Sequence, residues 1–374
     1  MDHRPPHPSH RQVGEPRLPL LAVPFALIAA VTVVDVLAPP DVHLGPFLVA
    51  APALTASFAG PRMTGFVGAV AVAAQVTVAV VRTTATDLNH TFQIIALVLI
   101  SIFVTLFAHL REVHEKQLTQ LRSVAEAAQE VVLRPLRDRM GPLRLASVYL
   151  AAEAEAQIGG DLYAATRTPH GTRLIVGDVR GKGLEAVGDA ALVLGAFRAA
   201  AHQEADLPTL VAYLEAAVAA DPDGADSADE PADDPGEAFT TAAVLDIPDR
   251  EMTVRLISCG HPPPLLLRGG RVIPLEVDHP APPLGLTRYV DTGFAPQSFS
   301  FEPGDMILLY TDGVIEARDA EGTFYPLPER AADWPGDGPD ALLRHLCTDL
   351  LAHSPGGSLG DDAAMVAIER VTGA

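Results

Sequence analysis

The stretch Leu174-Ile175-Val176-Gly177-Asp178-Val179-Arg180-Gly181-Lys182-Gly183 leaves the backbone few choices. Three consecutive large apolar residues predict a buried strand ending at Gly177-Asp178, and a glycine-rich turn then leads into a long helix from Leu184. Glycines allow close backbone approach. A carboxylate at the end of such a strand suits a hard metal ion that takes oxygen ligands. It equally suits a plain helix cap, so the rest of the chain has to decide.

The 374 residues leave room for two or three domains. A net charge of −21 accompanies 48% apolar residues, and the conflict resolves by position. Apolar residues crowd 18–110, and acidic ones crowd the part after 150. So acidic a chain is ill suited to phosphate backbones, and no nucleic-acid partner is expected. The two cysteines, Cys259 and Cys347, lie far apart without a CxxC pair, which excludes a disulfide framework and a cysteine zinc site. An intracellular, reducing location fits.

Residues 1–17 are polar and proline-rich and are expected to be a disordered cytoplasmic N-terminus. Four apolar segments follow, at about 18–38, 44–60, 63–81 and 91–110. Each approaches the roughly 20 residues of a bilayer-spanning helix, the second being the shortest. They are apolar on all sides apart from Gln75, unlike the helices of a soluble bundle. Residues 18–110 are therefore expected to form a four-helix transmembrane domain. Four spans would put Arg4, Arg11, Arg17, Arg62, Arg111 and Lys116 on one side and only Arg82 on the other. The positive-inside rule then places both chain ends in the cytoplasm of a multi-pass protein in the cell membrane. A cleaved signal peptide is disfavoured by the length of the first segment and by Val36-Leu37-Ala38, which is no small-x-small site.

Residues 111–141 read as a helical linker, free of glycine and proline until Pro135. Leu110, His114, Gln117, Leu121, Val124, Ala128 and Val131 follow a four-three spacing. That seam fits a parallel homodimer helix, although a solvated helix packed on its own domain would show similar residues.

From 142 the pattern changes to that of an α+β domain, residues 142–374. Strands are expected at 143–151, 172–176, 241–247, 253–258, 263–267, 306–310 and 363–370. Helices are expected at about 184–204, 207–219 and 340–352. Grouped helices among many strands favour largely antiparallel sheets. Residues 221–237 form a run of Asp, Pro, Gly and Ala that reads as a flexible acidic loop.

Three more acidic turns flank strands: Gly159-Gly160-Asp161, Thr311-Asp312-Gly313 and Asp361-Asp362. Each alone is an ordinary turn. Four of them converging would repel one another and raise their pKa values, a cost that divalent cations remove. With no His or Cys cluster nearby, oxygen ligation points to Mg²⁺ or Mn²⁺. Two such ions can activate water and clamp a transferring phosphoryl group.

The motifs GGDLY (159–163), GDVRGKG (177–183), CGHPPPLLL (259–267), PPLGL (282–286), LLYTDGVIEARD (308–319) and DDAAMVAI (361–368) stand in order. Together, over about 143–371, they resemble the SpoIIE-like bacterial branch of the PPM (type 2C) metal-dependent protein serine/threonine phosphatases. The resemblance implies an antiparallel β-sandwich flanked by helices, with two metals, Mn²⁺ or Mg²⁺, at one edge. It implies that Asp178 bridges both metals and that the Val179 carbonyl contributes to one. Asp312 and Asp361 would complete the other, and Asp161 would act on the first directly or through water. It also implies metal-activated water attack on a phosphorylated anti-anti-sigma (STAS-type) protein, with residues 184–219 as a switch controlled by the linker. Asp362 is placed behind the metal ligands rather than among them. Where many relatives carry an acid after the aromatic of the first motif, this chain has Ala164. That raises the question of weaker metal binding.

His261 reads either as a general acid or as a structural imidazole in a rigid Gly-His-Pro-Pro turn, the second being favoured. Arg180 and Lys182 read either as phosphate contacts or as exposed turn residues. Two rival functions remain. A membrane-anchored pseudophosphatase would keep the fold as a binding module, and a nucleotide cyclase is echoed only by GGD, leaving the later Asp motifs unexplained.

Overall fold

The computed structural model describes residues 18–39, 44–81, 88–152, 159–203, 206–220, 239–287, 293–334, 336 and 338–371. The expected N-terminal tail 1–17 and the whole acidic loop 221–237 lie outside these residues, as does Arg82. The chain divides into two compact units, Met1–Gln120 and Leu121–Ala374.

The first unit is helical. It contains α1 (Leu18–Leu37), a 3-10 turn (Gly45–Val49) running into α2 (Ala50–Phe58), α3 (Pro61–Val81) and the first part of α4 (Leu88–Val132). Three stretches are long and apolar enough to cross a membrane: Leu20–Leu37, Pro61–Val81 and Thr91–Gln117. The expected second span is not among them. Its five-residue 3-10 turn and nine-residue helix reach roughly 20–25 Å, short of a hydrocarbon core of about 30 Å. The helix ends at Phe58, ahead of Gly60-Pro61, because the residue before a proline is pushed out of helical geometry. Three spans also undo the charge asymmetry. Arg62, Arg111 and Lys116 then share one side, and Arg82 joins Arg4, Arg11 and Arg17 on the other.

Small residues let the helices of this unit meet. Gly68 packs on the Ser101 side chain and Gly65 on Thr105, bringing α3 close to α4. Some of its polar groups are paired: the Leu44 N–H donates to Asp35 at 3.1 Å, and the Gln75 amide donates to Gln93 at 3.0 Å, whereas Gln75 Oε1 and Ser101 Oγ are buried without a hydrogen-bond partner among the described residues. Of the expected linker seam, Leu110, His114 and Gln117 are exposed. The side chains of Leu121, Val124, Ala128 and Val131 lie outside those described.

The second unit is a two-sheet sandwich. One sheet has the order β1 (Arg139–Met140), β2 (Leu143–Leu150), β11 (Ala363–Arg370), β10 (Met306–Tyr310), β7 (Leu265–Arg268) and β8 (Arg271–Pro274). The other has β3 (Gly159–Arg167), β4 (Gly171–Lys182), β5 (Thr240–Pro248), β6 (Thr253–Cys259) and β9 (Gln297–Ser300). All strand pairs are antiparallel. Helices α5 (Leu184–Ala200) and α6 (Leu207–Ala219) cover the β3–β9 sheet. On the other side come α7 (Asp312–Ile315), α8 (Leu327–Ala332) and α9 (Pro339–His353), with α9 packed on β2 and β11. Both faces of β4 are thereby covered, so Leu174, Ile175 and Val176 are wholly buried and the strand reads as an unbroken apolar run.

Two details differ from the sequence expectation. Gly159-Gly160-Asp161 is not a turn but the start of β3, and β4 does not stop at Asp178 but continues to Lys182. The cause is cross-strand pairing: β3 bulges at Gly160 and re-registers from Gly159↔Lys182 to Asp161↔Asp178. The short strands β1, β8 and β9 also went unforeseen, because two to four residues carry no period.

Arg370 staples the sandwich at the end opposite the acidic motifs. It is only 1% exposed, donates to the Pro248 and Glu251 carbonyls at 2.9 and 2.8 Å, and lies 5.2 Å over the Phe301 ring. Arg370→Ala should orphan those carbonyls and cost about 3 kcal/mol. Thermal unfolding of the detergent-solubilised chain should show the second unit melting roughly 6–12 °C lower. An unchanged midpoint would show that the guanidinium holds nothing.

Candidate active site

Each sheet delivers carboxylates to the same edge. In the β3–β4 pair Asp161 stands opposite Asp178, so the two side chains share a face. In the other sheet β10 runs out at Tyr310 and β11 begins at Ala363, placing Asp312 and the Asp361-Asp362 pair at adjoining strand ends. Carboxylate oxygens of Asp161, Asp178 and Asp312 lie within 4.8 Å of one another. They line a cleft of about 290 Å³ that also takes in Val179, Lys182 and Asp361.

Two glycines make this convergence sterically feasible. A Cβ on Gly160 would strike the Val179 carbonyl, and one on Gly313 would strike the Asp362 carbonyl. Both positions bring backbone against backbone at the cleft.

Polar contacts then fix the acids. The Thr311 hydroxyl donates to Asp161 at 2.7 Å and accepts the Ala364 N–H at 2.9 Å, tying β3 to the β10–β11 pair. Asp362 also lines the cleft, but its carboxylate is committed to backbone donors. It accepts the N–H of Ala152 at 2.7 Å and that of Gly159, and so clamps the entry to β3. Asp361 stands at the rim, half-exposed, with its carboxylate 3.1 Å from the Lys182 ammonium. Arg180 extends over the Phe239 ring at 5.3 Å.

The electrostatics of the cluster are those of a cation site. Burial, then the charge of Asp178, holds the Asp161 carboxyl well above the usual carboxylate range. Burial, followed by Asp312 and Asp361, pushes Asp178 up to about 7. Asp312 is likewise raised, chiefly by burial. Three acids this close need protons or a counterion, and Lys182, which lies beside them, is paired with Asp361. The donor set is oxygen only, which fits Mn²⁺ or Mg²⁺.

His261 has a different job. It is buried, its Nε2 donates to the Tyr310 carbonyl at 3.1 Å, and its Nδ1 meets the Thr241 hydroxyl at 3.2 Å. Burial lowers its pKa to about 4. A neutral imidazole with both nitrogens engaged braces the backbone two residues before Asp312; it holds no proton to give at neutral pH.

Ala164 does not face the acids. It is buried in β3 opposite Ile175 and lines a separate cavity, so the position where an acid is missing is not part of the acidic cleft. Thr311, Phe239 and Gly160 were not singled out from sequence. Only Thr311, directly before Asp312 in its motif, carried a signal.

A helix-flanked antiparallel sandwich with acids at one edge is the architecture of the PPM (PP2C-type) phosphatases, and the recognised class stands. The Stage II sporulation protein E (SpoIIE) family model matches residues 168–371, and the chain belongs to that family. Among solved structures, the SiaA-PP2C domain of Pseudomonas aeruginosa superposes with a TM-score of 0.55 at 16% identity, covering 69% of this chain and 98% of that one. The RsbU and RsbW domains of Rv1364c from Mycobacterium tuberculosis match at 26% identity and TM-score 0.47, covering 62% of this chain and 61% of that one. The PP2C domain and regulatory fragment of SpoIIE from Bacillus subtilis match at 14% identity and TM-score 0.48, covering 62% and 64%. The chain thus spans under two thirds of the length of the last two.

Two predictions follow from this geometry. Gly313→Ala should displace the Asp361-Asp362 backbone at a cost of roughly 1–3 kcal/mol. Mn²⁺ titration by calorimetry should show affinity weakened at least about tenfold, and unchanged affinity would refute the tight approach. For His261 the folded pKa lies below the ordinary value of 6.5, so the native state prefers the neutral ring. Its stabilisation is complete above pH 6.5 and is lost as pH falls toward 4, by up to roughly 3 kcal/mol. His261→Gln should flatten the stability-versus-pH curve across that window in chemical denaturation.

Proposed function

We propose that this protein is a membrane-anchored, metal-dependent protein serine/threonine phosphatase whose substrate is a phosphorylated STAS-type anti-anti-sigma protein. The observation that carries the reading is the meeting of Asp161, Asp178 and Asp312 at one sandwich edge, in a chain of the SpoIIE family. Family membership supports the substrate class. Three long apolar helices support anchoring. A phosphatase unit whose cysteines, Cys259 and Cys347, are both free supports a cytoplasmic placement.

In this reading Asp161, Asp178, Asp312 and Asp361, with the Val179 carbonyl, hold two divalent cations. When bound, the cations supply a water activated for in-line attack and neutralise charge on the phosphoryl oxygens. The chain's own groups do the rest. Lys182 and Arg180 flank the cleft as donors to substrate phosphate, Arg180 being kept at the mouth by Phe239. Thr311 and Asp362 keep the acids and the start of β3 in register. The α5 helix starts directly behind Gly183, five residues past Asp178, which makes α5 and α6 the elements through which α4 would set the site. A homodimer through α4 would supply the input.

The test is hydrolysis of a phosphoserine peptide and of p-nitrophenyl phosphate by the detergent-solubilised full chain, with Mn²⁺ and with EDTA. Turnover should require metal and fall to background in Asp178→Asn. Absence of turnover in all conditions, together with metal-independent docking of a phosphoprotein, would replace the enzyme by a binding module.

A further inference from the structure

A second cavity, of about 430 Å³, opens between the C-terminal end of α4, the strand β3 and the last turn of α5. Its polar wall includes Arg134, Arg137, Thr166, Arg167, Arg198 and His202, with Met140 among the apolar residues, and among the described residues no carboxylate lines it. In a chain of net charge −21, four arginines around one hollow stand against the prevailing sign.

Their partners are few. Arg167 is held by a bidentate pair with Asp249, one arm at 2.6 Å, which neutralises it and fixes its place. Arg198 donates to the Val132 carbonyl at 2.9 Å, capping α4, and among the described residues its guanidinium makes no other hydrogen bond. Arg134 and Arg137 are exposed, and among the described residues no ion pair engages Arg134, Arg137 or Arg198. Arg198 is half-buried, and its pKa is lowered by burial and then by Arg134, the mark of cations pressed together without a counterion. Planar forks converging on an enclosed volume are how proteins recognise phosphate. The volume lies within the ordinary range for small-molecule sites.

We propose that this cavity binds the phosphate group of a small anion, with Arg134, Arg137 and Arg198 as donors. It is separate from the acidic cleft and shares no lining residue with it. Its ligand would tie the end of α4 to the last turn of α5, the helix whose first turn follows the Asp178 loop. The site is therefore placed to report a phosphorylated metabolite, or an anionic lipid headgroup, to the catalytic edge.

The experiment is calorimetric titration of the detergent-solubilised full chain in EDTA, which keeps the acidic cleft free of metal. One arm uses inorganic pyrophosphate and the other a soluble short-chain phosphatidic acid. At least one probe should bind. The double variant Arg134→Gln/Arg137→Gln should weaken it at least about tenfold, whereas Lys182→Gln should leave it unchanged. Ala165→Glu, which adds a carboxylate to the lining, should weaken it as well. Tighter pyrophosphate binding identifies a soluble phosphate ligand, and tighter phosphatidic acid binding identifies a headgroup. No binding of either probe overturns the proposal, as does binding that is lost with Lys182→Gln and kept in the arginine variant. Because no metal or turnover is involved, these outcomes are independent of the phosphatase assay.

Discussion

Mutual repulsion of three carboxylates, Asp161 buried and Asp178 and Asp312 half-buried, is the constraint around which the second unit is built. Asp161, Asp178 and Asp312 approach within 4.8 Å, and burial raises the pKa of each. Left to themselves such groups would separate or take up protons. Here the backbone forbids separation. Asp161 and Asp178 are locked opposite one another by the β3–β4 ladder, and Thr311 ties Asp161 to the neighbouring sheet. The cost is carried by 41 buried residues of one apolar cluster between and behind the sheets, enough to hold a strained electrostatic arrangement in place.

The same economy of position explains the supporting residues. His261 cannot serve as an acid at neutral pH because it is dry, and it is dry because its two nitrogens bridge β5 to the end of β10. Asp362 sits next to the rim carboxylate of Asp361 yet, among the described residues, binds backbone N–H groups. Neighbours in sequence thus take different roles.

The first unit follows other physics. Its helices are apolar all round, so their order comes from small residues that allow close approach and from a few paired polar groups. The helix α4 begins among these apolar residues and ends in the phosphatase unit, where Arg198 caps it. The last turn of α4 lies beside the cation-lined cavity and the end of α5.

Much of the site was legible in one dimension. Asp-containing turns after apolar runs marked Asp178 and Asp312, the Asp361-Asp362 pair stood before the last strand, and their joint presence pointed to oxygen-ligated metal before any geometry was available. Most of the long strands and helices declared themselves by period and length, but the nine-residue β3 did not. The count of membrane spans did not, because composition measures how apolar a segment is and not how far its backbone reaches. Gly45–Phe58 is apolar enough and too short.

By itself the sequence determined the apolar first quarter, the antiparallel character of the rest and the identity of the acids, since each rests on local pattern. Only the tertiary structure decided that GGD starts a strand, that Asp362 gives its carboxylate to backbone N–H groups while Lys182 pairs with Asp361, and that Ala164 lies elsewhere. It alone revealed four arginines from distant segments around one cavity. These depend on register and on which strand ends meet, long-range pairings that no local pattern encodes.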